Sequence, residues 1–225
     1  MGSSNNTPYN PLAIESIADS VARELVAQPC GPLPPPARFN GAGIYAIYYH
    51  GNAAGYASIA QANANTCELP IYVGKAIPQG GRKGITVTAG MSGQAVFSRL
   101  MEHAESIRAA NSTLKLDDFR CRYLIVEELF IELAERRLIQ TYRPVWNACL
   151  GGFGNHDPGS GRYNQRRSGW DELHPGRLWA ARLQPSQLTA DEWRAEVMAY
   201  LAALQAGSLA EVTIIDDGAG EPQEE

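Results

Sequence analysis

The chain reads as an α+β protein: three short strands set among helices, with an N-terminal arm and a C-terminal extension. Three runs, 43–49, 71–74 and 119–125, concentrate the Val, Ile, Phe and Tyr that suit a pleated surface. Four other stretches repeat their apolar residues at helical spacing. Gly- and Pro-rich segments separate the two kinds.

Ile14, Ile17, Val21 and Leu25 make 11–27 an amphipathic helix. The run Pro29–Pro36 then forces an extended connector, so 1–40 is expected to be an arm standing apart from a body that begins near Phe39. The first strand, 43–49, is followed by a polar, alanine-rich insertion from His50 to Pro70, and then by the second strand. Gly- and Thr-rich 76–91 reads as a loop carrying Arg82 and Lys83. Val96, Leu100 and Ile107 mark a helix over 92–110, and a further helix over 128–142 stops before Pro144. From Gly151 to Gly176 apolar periodicity fades into Gly, Arg, Asn, His and Trp. Thr189 and Glu192 form a capping-box pattern that opens a last helix. A short strand is expected over 209–215 and a disordered acidic tail over 216–225.

At 225 residues, 44% hydrophobic and 19% charged, the chain can bury a real core. No run approaches the roughly 18 apolar residues of a membrane helix, and the polar N-terminus has no basic start. Cys30, Cys67, Cys121 and Cys149 are widely spaced, without a zinc knuckle, and read as reduced thiols of a cytoplasmic protein. The net charge of −5 hides an uneven distribution. Residues 71–182 hold 16 basic and 11 acidic side chains, whereas 183–225 hold one Arg and nine acids. A basic middle is what a polyanion would meet.

Arg99 and His103 share one helix face, pairing a phosphate-binding fork with a group that titrates near neutrality. On an ordinary helix such residues are only a solvated face. Glu135 lies on the apolar stripe of Ile131, Leu138 and Tyr142, where a carboxylate needs a partner. That partner is either Arg99 or Arg136, or a Mg²⁺ held with waters and a phosphate oxygen. Asn147 either orients an oxygen ligand or satisfies loop backbone. His103, His156 and His174 lack the spacing of a histidine metal site.

In order along the chain, Gly43-Ile44-Tyr45, Tyr72-Val73-Gly74-Lys75, Arg99 with His103, Glu135, and Pro144-Val145-Trp146-Asn147 resemble the GIY-YIG nuclease family over about 41–150. The long gap between the two tyrosine motifs is most similar to its type II restriction endonuclease branch. The resemblance implies a small, mainly antiparallel three-stranded sheet flanked by helices. It implies Tyr45 as general base, relayed by His103 or Lys75, with Glu135 holding Mg²⁺. Arg99 would stabilise the phosphorane, Tyr72 would bind the phosphate or the water, and Asn147 would support the site.

In that branch the segment after the nuclease core reaches a GC-rich palindrome. The resemblance therefore makes Arg162, Gln165, Arg166, Arg167, His174 and Arg177 DNA-binding candidates within 151–215, beside Arg82 and Lys83. Arginine forks suit guanine edges. The basic Arg166-Arg167 pair is otherwise a solvated surface, and Trp170 and Trp179 are read as core anchors. Branch members cut CCGCGG, which implies double-stranded DNA as partner and a homodimer on it. A repair nuclease of the same fold and an inactive DNA-binding module are the competing readings.

Overall fold

The structure is a computed structural model and describes residues 13–77 and 93–209. Its helices are α1 (Ile14–Ala27), α2 (Ala57–Ala62), α3 (Ala95–Ala109), α4 (Glu128–Tyr142), α5 (Val145–Ala148), α6 (Gly169–Leu173) and α7 (Ala190–Gln205). Its strands are β1 (Gly31–Pro32), β2 (Gly43–Tyr49), β3 (Pro70–Ala76) and β4 (Phe119–Ile125). The sheet runs β1-β4-β2-β3 and is antiparallel at every pairing. The expected three strands are all present. The fourth, β1, is a two-residue edge that the proline connector lays against Arg120 and Cys121. The last strand expected, 209–215, lies outside the described residues but for Leu209.

Every residue of β2 is buried, because both of its faces are covered. Tyr45, Ile47 and Tyr49 point into a core shared with α3, α5, α6 and α7. Ile44, Ala46 and Tyr48 point into a second core made with α1 and α4. This is the period-2 alternation of a strand, with apolar matter on either side. The 151–204 region joins the first core through Phe153, Trp170, Leu173, Val197 and Leu201, so Trp170 is the core anchor its composition suggested. Trp179 is half-buried.

The N-terminal helix does not stand off as an arm. Leu25, Val21, Ala22 and Val26 pack against Ile131, Ala134 and Leu138 of α4, and Asp19 pairs with Arg137. An apolar stripe of this strength is buried rather than held in water. A second correction concerns the cysteines. Cys30 and Cys67 form a disulfide across 37 residues, tying the connector to the segment that leads into β3. Two thiols that far apart in sequence carry no pairing signal; the fold brings their Cα atoms to 6.4 Å. Cys121 and Cys149 are free, and burial pushes the Cys121 thiol up to about 12.

The helix ends follow local chemistry. Thr189 and Glu192 complete the capping box of α7. α4 closes at Arg143, whose left-handed φ of 46° suits the stop before Pro144. Arg143 is held there by its N–H on Ile139 O and by the Tyr200 hydroxyl donating to its carbonyl, 2.9 Å away. Among the described residues no helix is long and apolar enough to cross a membrane.

Candidate active site

Antiparallel register places the two tyrosine motifs together. Tyr45 faces Gly74, and Tyr72 faces Ile47, so both phenols emerge on one face with ring centroids 6.4 Å apart. The Tyr45 ring lies over the Gly74 backbone, and a Cβ there would stand 2.6 Å from Tyr45 Cζ. A Cβ at Gly43 would likewise run into the Leu124 carbonyl of β4. The two motif glycines are thus demanded by contacts, one by the neighbouring strand and one by the phenol itself.

α3 crosses this face and lowers His103 onto it. Tyr45 Oη and His103 Nε2 lie 2.8 Å apart in a hydrogen bond, with both side chains buried. Burial holds the Tyr45 phenol far above its ordinary value, against the pull of the Arg99 guanidinium, while Glu135 and Glu102 push the same way as burial. Burial also drops His103 well below the ordinary histidine value, helped by the charges of Arg99, Arg177 and His156. Both groups are therefore neutral at pH 7, and burial pushes the two apart, disfavouring the phenolate and the imidazolium alike.

Arg99, one turn before His103, donates to Gly154 O at 2.7 Å and to Glu102 Oε2 at 3.0 Å, and it touches His156. Burial opposes its charge, but the neighbouring phenols and Glu102 hold it firmly protonated.

Glu135 pairs with Lys75, not with Arg99 or Arg136 as the sequence suggested. Glu135, 14% exposed, meets the Lys75 ammonium at 2.8 Å, and Lys75 also donates to Glu132 Oε2 at 2.7 Å. Arg99 and Arg136 are instead paired with Glu102 and Glu132. Burial works against the Lys75 charge, yet its hydrogen bonds to Glu132 and Glu135 raise it above the ordinary lysine value. Lys75 is thus a fixed cation, and His103 is the group that touches the phenol. Glu132 was not anticipated; its spacing of three from Glu135 on one helix was the available signal.

Asn147 takes the second of its two expected roles. It accepts from Val73 N–H and donates to Val73 C=O, both at 2.8 Å. β3 is an edge of the sheet, and this amide stands in for the missing neighbour strand at the residue between Tyr72 and Gly74. Asn147→Ala is expected to destabilise the fold by about 2–4 kcal/mol, since it leaves two buried backbone groups unpaired. Urea unfolding measures this, and an unchanged midpoint would show that water replaces the amide.

Of the DNA-binding candidates, Arg162, Gln165 and Arg166 are exposed, and Arg182, not anticipated, lies over the Tyr163 ring. Arg82 and Lys83 lie outside the described residues. Arg167 is half-buried and committed to Glu172 at 3.1 Å and to Ala180 O. His174 and Arg177 are corrections: both are buried. Arg177 is ion-paired with Asp171. His174 is hydrogen-bonded to the Tyr56 hydroxyl at 2.7 Å and to that of Thr113 at 2.9 Å. Isolated polar residues in a Gly-rich stretch look like surface; the hydrogen-bond partners of His174 come from the 50–70 insertion and from the turn that follows α3.

Burial, with some help from Arg194, lowers His174 to about 3. An unfolded histidine takes up its proton near 6.5, so the unfolded state binds more protons than the folded state between these values. Stability is therefore expected to fall as pH drops from about 6.5 toward 3. In His174→Gln that slope should shrink, as read by denaturant unfolding at stepped pH; an equal slope would assign the effect to other groups.

Among the described residues no group of three or more His, Cys, Asp or Glu side chains is placed to hold a metal ion. Comparison with curated proteins finds no match. The family model described as the Eco29kI GIY-YIG domain matches residues 37–201, spanning both the tyrosine site and the segment after it. With the paired phenols, the buried Tyr45–His103 contact and Arg99 set on one face of the sheet, this chain belongs to the Eco29kI GIY-YIG family of restriction endonuclease domains and is a nuclease.

Proposed function

We propose that the protein is a type II restriction endonuclease that hydrolyses both strands of DNA at a short GC-rich palindrome, with CCGCGG the first target to try. The observation that carries the chemistry is the 2.8 Å contact between the Tyr45 hydroxyl and His103 Nε2, buried and with both partners neutral. The phenol passes its proton to His103, and the phenolate takes one from the attacking water as the water oxygen bonds to phosphorus and the 3′ oxygen departs. A phenol holds its proton at pH 7, and burial holds this one tighter, so His103 takes the proton while the Arg99 charge, which pulls Tyr45 down, stabilises the phenolate. Arg99, already aimed over the phenol, neutralises charge growing on the phosphoryl oxygens. Tyr72 supplies a second hydroxyl to the phosphate.

The donor set fits Mg²⁺. Glu135 presents a partly exposed carboxylate close enough to Tyr45 to influence its titration, and together with Glu132 it already gathers one cation, the Lys75 ammonium. A hard, oxygen-preferring ion suits one carboxylate completed by water and phosphate. Glu135 would hold it, and when bound it supplies Lewis-acid stabilisation of the phosphate and of the leaving oxygen.

A palindromic target matches a two-fold homodimer with one site per strand, formed on the DNA. Among the described residues, the exposed Arg162, Gln165 and Arg166 are the candidates to contact it, beside Arg82 and Lys83. A DNA substrate argues for the cytoplasm, against which stands the Cys30–Cys67 disulfide, a bond rare in that compartment.

Plasmid DNA incubated with the protein and Mg²⁺, followed by mapping of the cut ends, tests this. Discrete fragments with one sequence at every end are expected. Nicks confined to branched or damaged DNA would replace the reading with a repair nuclease, and intact DNA with every divalent metal would leave a binding module.

A further inference from the structure

Arg177 looked like a DNA reader, and the structure gives it a different task. All five of its guanidinium N–H groups are spent inside the protein. Nε and Nη2 donate to Asp171 at 2.6 and 2.7 Å, Nη2 also to Gly152 O at 2.8 Å, and Nη1 to Phe153 O at 3.2 Å and Asn155 O at 3.0 Å. The plane is held between Trp170 and Trp179, 4.6 Å from each ring centroid. With its side chain 5% exposed, it has no donor left for a base edge.

Three of those five bonds grip one strap, 152–155, which is the cover of the tyrosine site. Phe153 stacks on His103 with centroids 4.5 Å apart and planes at 17°. Gly154 gives its carbonyl to Arg99 Nη2 and passes so near Tyr72 that a Cβ would stand 2.8 Å from the hydroxyl. His156, next along, rests on Arg99.

We propose that Arg177 is a positioning residue for the nuclease reaction: it clamps the 152–155 strap over the Tyr45–His103 pair and, through that strap, sets the pose of Arg99 and keeps water from His103. This rests on the proposed tyrosine mechanism. The need is for a planar fork: a lysine keeps the charge but offers one nitrogen to partners spread around a guanidinium edge.

Arg177→Lys tests the clamp. Tyr45, Tyr72, Arg99, His156 and Arg177 are the polar and charged groups that bear on His103, and this change retains the charge at position 177. The single-turnover rate at saturating DNA is expected to fall about 100-fold, as for a catalytic group displaced by about 1 Å. DNA affinity measured without metal should stay within about threefold. By NMR, the His103 imidazole should titrate closer to an ordinary histidine, because its cover is loosened. A wild-type rate with an unmoved His103 titration overturns the proposal. So does a loss of affinity with an unchanged rate on bound DNA, which would make Arg177 a DNA contact. Should the lysine variant fail to fold, Gly154→Ala pushes the strap off Tyr72 with the clamp intact, and the same fall in rate is required of it. Wild-type protein that never cuts DNA sinks the mechanism, while the His103 titration still judges the strap.

Discussion

Tyr45→Phe is expected to cut DNA about 10²–10⁴-fold more slowly than the wild type while binding it equally well. The ring is wedged among Tyr72, His103 and the Gly74 backbone, and phenylalanine fills the same space. What disappears is the hydroxyl and its bond to His103. The imidazole nitrogen is then buried without its partner, which costs roughly 1–3 kcal/mol of stability. Single-turnover cleavage of a labelled duplex, beside a binding titration without metal, separates the two effects. A variant that cuts at near wild-type rate would remove Tyr45 from the chemistry. Wild-type activity should also persist on the acid side of 6.5, because His103 needs to be neutral and its folded value lies well below that of free histidine.

Glu135→Ala is expected to reduce cleavage by about 10³-fold, the equivalent of losing several kcal/mol of charge stabilisation at the phosphate. The fold should scarcely notice. Lys75 keeps Glu132 at 2.7 Å, and a partly exposed ion pair contributes about 1 kcal/mol or less. Raising Mg²⁺ should not restore the rate, since the neighbouring Glu132 carboxylate stays paired with Lys75. Rates measured across a Mg²⁺ series make the test. Full recovery at high Mg²⁺ would mean that Glu135 merely tunes affinity for the ion, and an unchanged rate at low Mg²⁺ would exclude it as a ligand.

The roles of the two tyrosine glycines and of Asn147 show where sequence reading reaches its limit. The order Gly43–Tyr45, Tyr72–Gly74, Arg99, His103, Glu135 and Asn147 was enough to identify the family, because each residue type sits on an element whose periodicity is local. Strands 43–49 and 119–125, the 128–142 helix and the capping box at Thr189 were legible for the same reason: apolar spacing and end signals need only a few neighbouring residues. Pairings were not legible. Lys75 meets Glu135 across 60 positions, Asn147 meets Val73 across 74, and Cys30 meets Cys67 across 37.

By itself, then, the sequence determined the kinds of element, their order and the chemical groups carried on the tyrosine face. Tertiary structure decided which of those groups meet. It set His103, rather than Lys75, on the Tyr45 phenol, folded the expected arm onto α4, and turned His174 and Arg177 inward. The physical reason is that propensity and periodicity act over one or two turns of chain, whereas a charged or polar side chain is placed by whichever distant partner repays its loss of water.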